Sequence, residues 1–340
     1  MRGLSCEIYI RMKVHRYLFV LLLWANCFFI SAQLILPTLT GSFDQYPNFN
    51  RVWIKKFKIK NITFDILDKK DDHPGKDQGL VHHFDFDTSG HLSRFYYTRI
   101  IRETIREVQV PASGKGKRRK RAYTSREIKY EYDTVSIRFF YDNTARLKLK
   151  RFNDGNYYES TYWDYDSSGR VLRELRCKET NLHPDKTQFT LGVQNIISDE
   201  RFEYIPTGKL QYKKKCLNDE GLPFKEVIVN FNESNQPTEQ NENFIVTWIS
   251  QKTKFQYDKF GQMAEKTFET NTDGALALRD TFEYDNKGNI TWERQYKNQI
   301  LLNERSYLFD NTNDIVTSFV IRDHIQKSMR ITKLMYEYYK

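Results

Sequence analysis

Polar and apolar residues alternate along most of the chain, which is the pattern of β-strands with one buried face. The clearest stretch is Phe282-Glu-Tyr284-Asp285-Asn-Lys-Gly288-Asn-Ile290. Its two rings are separated by one polar residue, so both lie on the same face of a strand. The Asp then accepts a backbone N–H, and the Gly supplies the positive φ that closes a tight turn. The unit therefore predicts a β-hairpin.

This unit recurs along the chain. Four further copies are Phe84-Asp-Phe86-Asp87-Thr-Ser-Gly90, Trp163-Asp-Tyr165-Asp166-Ser-Ser-Gly169, Phe202-Glu-Tyr204-Ile205-Pro-Thr-Gly208 and Phe255-Gln-Tyr257-Asp258-Lys-Phe-Gly261. Weaker copies cover 139–142, 229–235 and 307–313. From position 205 onward the Asp-equivalent positions are 27, 26, 27 and 25 residues apart. The chain is therefore predicted to be all-β, an antiparallel meander of about eight hairpin repeats of ~26 residues that form one large curved sheet.

The shape of that sheet stays open between a spiral, a sandwich and a barrel, because an aromatic face on so many strands forces curling but does not fix closure. The residues predicted to form the turns are Asp87, Gly90, Asp166, Gly169, Gly208, Asp258, Gly261, Asp285 and Gly288.

The repeat resembles that of the YD-repeat family, which includes the Rhs-type bacterial shells. Tyr165-Asp166-Ser-Ser-Gly169-Arg170-Val171, Tyr257-Asp258-Lys-Phe-Gly261 and Tyr284-Asp285-Asn-Lys-Gly288-Asn-Ile290 carry the likeness, which covers roughly 82–315. The period here is longer than the family's, and the Asp-Pro-Gly-Leu boundary of an Rhs toxin is not found. The resemblance implies a wide curved β-sheet at or outside the cell envelope rather than a toxin shell.

The chain divides into a leader and two further regions. Residues 1–32 are predicted to be a signal peptide, with a basic start and a short apolar run from 17 to 30. Acylation at Cys27 is the alternative, disfavoured because no small residue precedes that cysteine. Residues 33–81 are predicted to be leading strands and a polar loop, and 82–340 the repeat domain, with loop insertions at 111–125 and 178–198.

The excess positive charge is concentrated in one place. The net charge is +10, of which the leader holds +3 and a single run holds +6, consisting of Lys115, Lys117, Arg118, Arg119, Lys120 and Arg121. A nucleic-acid partner is not expected, because such proteins spread basic residues over a face. The run is a candidate contact for an anionic surface, against the simpler hypothesis of an exposed loop. No later segment is apolar for the ~18 residues of a helical span, so no membrane span is expected after leader removal.

The two cysteines beyond the leader occupy equivalent positions in consecutive repeats. Cys177 lies eleven residues after Asp166, and Cys216 eleven after Ile205. In a flat meander they would be two strands apart, roughly 9.6 Å, whereas a disulfide needs Cα atoms within about 7 Å. Free thiols are therefore favoured, although a solenoid stacking of the repeats would bring the two together.

The candidate catalytic and metal-binding groups are few. His82, His83, Asp85 and Asp87 form a cluster, but adjacent strand residues point to opposite faces, and Asp87 is assigned to a turn. The pair Asp164 and Asp166 suggests glycoside hydrolysis, yet Asp166 is also a turn residue. No catalytic residue, metal site or cofactor is predicted. The favoured function is a non-enzymatic exported β-repeat scaffold, at the envelope or secreted, that binds glycan or protein partners through loops and a strand edge. The alternatives are a carbohydrate-active enzyme and a structural protein that assembles through sheet edges.

Overall fold

The computed structural model describes residues 33–37, 47–110, 123–154, 157–185, 188–272, 277–310 and 315–340. The predicted leader, residues 1–32, and the basic run within 115–121 lie outside these ranges. Within them the chain forms twenty strands and one helix, α1 (Arg51–Lys56). The all-β prediction is confirmed.

The strands follow one another along the chain in short steps. They are β1 (Ile35–Leu36), β2 (Asn48–Phe49), β3 (Ile59–Lys70), β4 (Lys76–Phe86), β5 (Leu92–Val110), β6 (Tyr123–Tyr141), β7 (Leu147–Asn153), β8 (Tyr158–Tyr165), β9 (Val171–Asn181), β10 (Leu191–Gly208), β11 (Gln211–Leu217), β12 (Pro223–Phe231), β13 (Pro237–Phe244), β14 (Ile249–Tyr257), β15 (Met263–Thr270), β16 (Ala277–Tyr284), β17 (Ile290–Lys297), β18 (Ile300–Phe309), β19 (Val316–Asp323) and β20 (Ser328–Tyr338).

Strands β3 to β20 form a closed antiparallel barrel of 18 strands in sequence order. The meander is confirmed, and closure selects the barrel among the predicted shapes. The closing pair is β20 with β3, where Thr332 faces Ile66 and Leu334 faces Phe64. A closed sheet has no free edges, so the strand edge expected to bind partners or to drive assembly is not present in this barrel.

The repeated turns all lie at one end of the barrel, here named the Asp-turn rim. It carries the turns 87–90, 142–145, 166–169, 258–261 and 285–288, because alternate connections of a meander share an end. At Asp285 the carboxylate accepts the N–H groups of Lys287 (2.9 Å) and Asn289 (2.8 Å). Gly90, Gly169, Gly261 and Gly288 have φ values of 84°, 86°, 78° and 85°.

One predicted turn is displaced. Gly208 is the last residue of β10 and pairs with Gln211, so the reversal falls on 209 and 210. The physical reason is that Ile205 replaces the Asp whose side chain would start the turn earlier. A turn that the sequence analysis missed lies at 218–221, where Asn218 accepts the N–H of Leu222 at 2.8 Å.

The N-terminal region differs from the expected strands. Val52, Trp53 and Ile54 alternate in polarity with their neighbours but lie in α1, whose first turn is capped by the Asn50 side chain. The Asn50 oxygen accepts the N–H groups of Val52 (3.1 Å) and Trp53 (3.3 Å), which favours a helix locally. The polar loop predicted at 68–79 is reduced to 71–75, because β3 and β4 extend into it.

The N-terminal segment, 33–37 and 47–57, packs into the barrel at the Asp-turn rim. Phe49 contacts Phe84 (ring centroids 4.9 Å apart) and Phe86 (5.2 Å), and Gln33 accepts the N–H of Ile290 at 2.8 Å. Barrels of 16 to 18 strands have a wide lumen. The segment therefore fills one mouth of this lumen and supplies much of its apolar core.

The opposite end, here named the far rim, carries longer connections. The hairpin of β5 and β6 extends well beyond the neighbouring strands, because β4 pairs with β5 only as far as Tyr97 and β7 pairs with β6 only as far as Ser136. The insertion predicted at 111–125 is the connection of this hairpin, and Tyr123 onward is already strand.

The insertion predicted at 178–198 contributes the end of β9, a connection and the start of β10. This connection folds back over the outer face, where the Phe189 ring lies 3.7 Å from the Arg151 guanidinium. Beneath it the fully buried Glu179 carboxylate accepts bonds from Ser160 Oγ (2.5 Å) and Arg151 Nε (3.1 Å). These bonds hold the insertion against the barrel wall.

Strand alternation separates an apolar lumen from a polar outer face. Phe255, Phe282 and Tyr307 are buried and face inward. The outward positions between them on β14, β16 and β18 are Lys254, Gln256, Arg279, Thr281, Glu283, Glu304 and Ser306. Cys177 and Cys216 are free and buried, as expected. Cys216 faces Phe202 in the lumen, whereas Cys177 faces Ser160 on the outer side.

Candidate functional site

A cavity of about 280 Å³ lies in the lumen above the N-terminal segment, and we name it the lumen pocket. One wall comes from β3, β4 and β5. The inward register places Phe64 opposite His82 and His82 opposite Tyr97, with Phe95 two residues before Tyr97. The rings touch: the His82 centroid lies 5.6 Å from that of Phe95 and 5.7 Å from that of Tyr97.

The facing wall comes from β18, β19 and β20, and Pro47 of the N-terminal segment forms part of the lining. Register brings Arg305 opposite Ile321 and Ile321 opposite Arg330. Phe319 links the two walls, with its ring 5.4 Å from that of Phe64. The pocket thus joins strands from the two ends of the repeat array, which only barrel closure makes neighbours.

His82 is the titratable group at the centre of this lining. Burial lowers its pKa from 6.5 to about 4, and the nearby Arg330 charge adds to this effect. Its ring contacts are aromatic, and the structure shows no hydrogen bond to it from the described residues. At neutral pH the ring is uncharged and can donate or accept one hydrogen bond.

Arg330 lies near the far rim, two residues into β20. Its guanidinium makes two bonds to Asp68, 2.8 Å from Nε and 3.0 Å from Nη2, and these bonds raise its pKa. The side chain remains 44% exposed. A partly solvated, fork-shaped donor is well suited to exchange one carboxylate for another anionic group.

Arg305 is held differently. It is almost fully buried, donates to Glu293 Oε2 at 3.0 Å and lies 3.2 Å from the Tyr307 hydroxyl. Tyr307 also donates to Glu293, at 2.8 Å. Burial raises the pKa of Glu293 against the lowering effect of Arg305. Because its charge is already compensated, Arg305 shapes the pocket rather than offering a free charge.

The clusters singled out in the sequence take other positions. His82 faces the lumen, while His83 faces outward and lies 3.0 Å from Asp85. Asp87 is used in its turn, where it accepts the N–H groups of Ser89 and His91. Among the described residues no three His, Cys, Asp or Glu side chains gather in a metal-binding arrangement.

The candidate carboxylate pair is also separated by role. Asp166 accepts from Ser168 Oγ (2.7 Å) and from the backbone N–H of Arg170 (2.9 Å), and these bonds hold its pKa far below the ordinary value. Asp164 is 67% exposed on the outer face, 3.9 Å from Arg173. The basic run from Lys115 to Arg121 lies outside the described residues, so its contact with an anionic surface stays a prediction.

The sequence analysis did not find Arg305, Arg330 or the role of Tyr97. The available signal was a charged residue at a position whose strand neighbours are apolar and inward-facing. Arg330 sits two residues before Thr332 and four before Leu334, in phase with the buried face of β20. The partner strands could not be assigned without knowing that the sheet closes.

The comparisons with known proteins leave the family open. No protein-family model matches the chain, and no curated protein matches it. Among solved structures, a porin-like protein from Bacteroides uniformis is 9% identical over 82% of this chain and 98% of its own, with a TM-score of 0.36.

Two further structures share little more with the chain. A porin-like protein from Bacteroides vulgatus is 9% identical over 61% of this chain and 94% of its own, with a TM-score of 0.25. A Photorhabdus luminescens Tc holotoxin pore is 11% identical over 73% of this chain but only 14% of its own, with a TM-score of 0.23. Likeness at this level supports no functional argument. Within the described part of the chain, no helix has the length and apolarity to cross a membrane.

Proposed function

We propose that this protein is an exported, non-enzymatic β-barrel that binds a small amphipathic ligand in the lumen pocket. The observation that carries the proposal is a ring-lined apolar cavity with an arginine at its outer end and a neutral histidine within it. Its volume is near the lower end of ligand pockets, roughly 300 Å³. Export is inferred from the leader pattern in the sequence, and kinship with the YD-repeat family from the quoted turns.

The chemistry of the walls favours an anionic amphiphile over a glycan. Phe64, Phe95, Phe319 and Ile321 offer apolar surface, which suits a hydrocarbon or aromatic body. Arg330 offers the charge-assisted bonds that suit a carboxylate or phosphate. A sugar needs several directional hydrogen bonds, and here Arg305 is already committed to Glu293. The glycan and protein partners expected from the sequence are retained as outcomes of the test.

The outer face of the barrel supports a binding protein rather than a membrane pore. A lipid-facing barrel needs an outward apolar band about 25 Å tall. Here outward positions carry charged groups joined by ion pairs, such as Lys252 with Glu239 (2.9 Å) and Lys213 with Glu226 (2.6 Å). Such a surface is stable in water.

The proposal is tested by displacement of an environment-sensitive fluorescent fatty acid. We expect unlabelled anionic amphiphiles to compete with it, while neutral amphiphiles and glycans compete weakly. Arg330→Gln should raise Kd about tenfold, as expected for one charge-assisted hydrogen bond. Arg279→Gln, on the outer face, is the matched control and should leave Kd unchanged.

A second variant separates ligand binding from folding. Asp68→Asn breaks the same ion pair but frees Arg330, so binding should stay equal or tighten. Equal losses in both variants would mean that the pair matters only for structure. Binding of glycans alone, or turnover of a glycoside that one carboxylate substitution abolishes, would overturn the proposal.

A further inference from the structure

Large apolar side chains are exposed on consecutive connections of the far rim. The connection after β9 exposes Leu182 (68%), the one after β11 Leu222 (57%), the one after β13 Trp248 (86%), the one after β17 Ile300 (62%) and the one after β19 Ile325 (63%). On the Asp-turn rim, the comparable side chains are Val52 and Phe260. Isolated exposed apolar residues are common, but an arc of them at one end of a molecule marks an interaction surface.

Trp248 is the most informative member of this arc. It adopts a positive φ of 55°, a conformation that bulky residues rarely adopt and that Gly or Asn would accept at lower cost. The loop is held in place, because Asn271 of the next connection donates to the Trp248 carbonyl at 3.0 Å and accepts the N–H of Ser250 at 2.8 Å. The fold therefore presents an indole to solvent at a fixed position where packing does not require one.

The arrangement suits a flat, fluid partner better than a shaped one. The apolar residues sit on separate connections, about 10 Å apart for every second strand, and do not line a common groove. A lipid interface accepts such separate tips, and tryptophan is enriched there because its ring is amphipathic. The β5–β6 connection, which also leaves the far rim, carries six basic residues in sequence and would complement anionic headgroups.

We infer that the far rim docks on the surface of an anionic lipid bilayer, with Trp248 and its neighbouring apolar tips entering the headgroup layer. The depth of entry is about 5–10 Å, as for other interfacial elements. The lumen pocket opens toward the same end, since Arg330 lies close to this rim. Docking does not depend on the lumen pocket binding a ligand.

The test is flotation of the exported protein with vesicles of phosphatidylcholine alone or mixed with phosphatidylglycerol. We expect binding to the anionic vesicles, with fluorescence quenching by brominated lipid that Trp248→Phe removes. Trp248→Ser with Ile325→Ser should lower the bound fraction about tenfold. Phe260→Ser, an equally exposed residue on the Asp-turn rim, is the matched control and should bind as the unmodified protein does.

Three results would overturn the inference. They are the absence of binding to either vesicle, an equal loss in Phe260→Ser, and a dimer in light scattering that Trp248→Ser dissolves, which would make the partner a second copy. Arg330→Gln should still float with vesicles, so a failure of the lumen pocket and a failure of docking are distinguishable.

Discussion

At the scale of single residues, the Tyr of the repeat is as constrained as the Asp that follows it. The tyrosine hydroxyl crosses to the preceding hairpin and donates to a backbone carbonyl. This happens at Tyr141 (to Leu92, 3.0 Å), Tyr165 (to Leu147, 2.7 Å), Tyr257 (to Pro237, 2.8 Å) and Tyr284 (to Met263, 2.8 Å). The sequence explained these rings only as apolar bulk. Their second role is to tie neighbouring hairpins together along the Asp-turn rim.

Removing one such hydroxyl should weaken the fold measurably. We expect Tyr284→Phe to lower the free energy of unfolding by about 1 kcal/mol, because a buried carbonyl loses its partner. Burial raises the pKa of Tyr284, in line with its enclosed position. Urea unfolding provides the measurement. Tyr296→Phe, on the outer face of β17, is the control, and an equal effect of the two substitutions would refute the role of the hydroxyl.

The histidine in the lumen pocket should make stability depend on pH. Its pKa is about 4 when folded against 6.5 in the unfolded chain, so between these values only the unfolded chain binds the proton. Stability is therefore full above about pH 6.5 and falls as the pH approaches 4, by on the order of 3 kcal/mol. Unfolding in urea at pH 7.5 and 4.5 should show a smaller difference for His82→Phe than for the unmodified protein. An unchanged difference would contradict the buried neutral ring.

At the scale of elements, the short helix α1 is fixed to the first Asp turn. A Cβ at Gly90 would lie 2.4 Å from the Arg51 carbonyl oxygen and 3.0 Å from the Lys55 nitrogen. Arg51 also donates to the Ser89 carbonyl at 3.2 Å. The N-terminal segment is thus seated on the rim as well as in the lumen.

This contact can be separated from backbone strain by two matched substitutions. Gly90→Ala and Gly169→Ala place the same residue at nearly the same positive φ, but nothing lies within 4 Å of a Cβ at Gly169. We expect Gly169→Ala to cost about 1 kcal/mol from strain and Gly90→Ala about 1–3 kcal/mol more. Equal costs in thermal unfolding would mean that α1 does not rest on this turn.

Elements also mark where sequence reasoning succeeds and where it stops. The Asp-x-x-Gly turns and the alternation about them predict β14 to β17 well, because both signals are local. Helix α1 was missed since six residues capped by Asn50 offer too short a pattern to distinguish from alternation. The shifted turn after Gly208 shows that the ring pattern alone does not place a turn when the Asp is replaced.

At the scale of the whole molecule, curling was predictable and closure was not. Curling follows from the aromatic face, but closure depends on the summed twist and tilt of 18 strands, to which each hairpin contributes little. The lumen pocket depends on closure, because His82 and Arg330 are far apart in sequence and meet only through the β20–β3 pair. The site could not be found before the global topology was known.

A designed disulfide across the closing pair tests the central claim most directly. Asp65 and Lys333 face each other on the outer side of β3 and β20, within the reach of a disulfide. Under mild oxidation Asp65→Cys with Lys333→Cys should form an intramolecular bond and lose two reactive thiols by titration, while Glu265→Cys with Lys333→Cys should not. Persistence of both thiols in the first variant, or bonds only between molecules, would contradict a closed barrel.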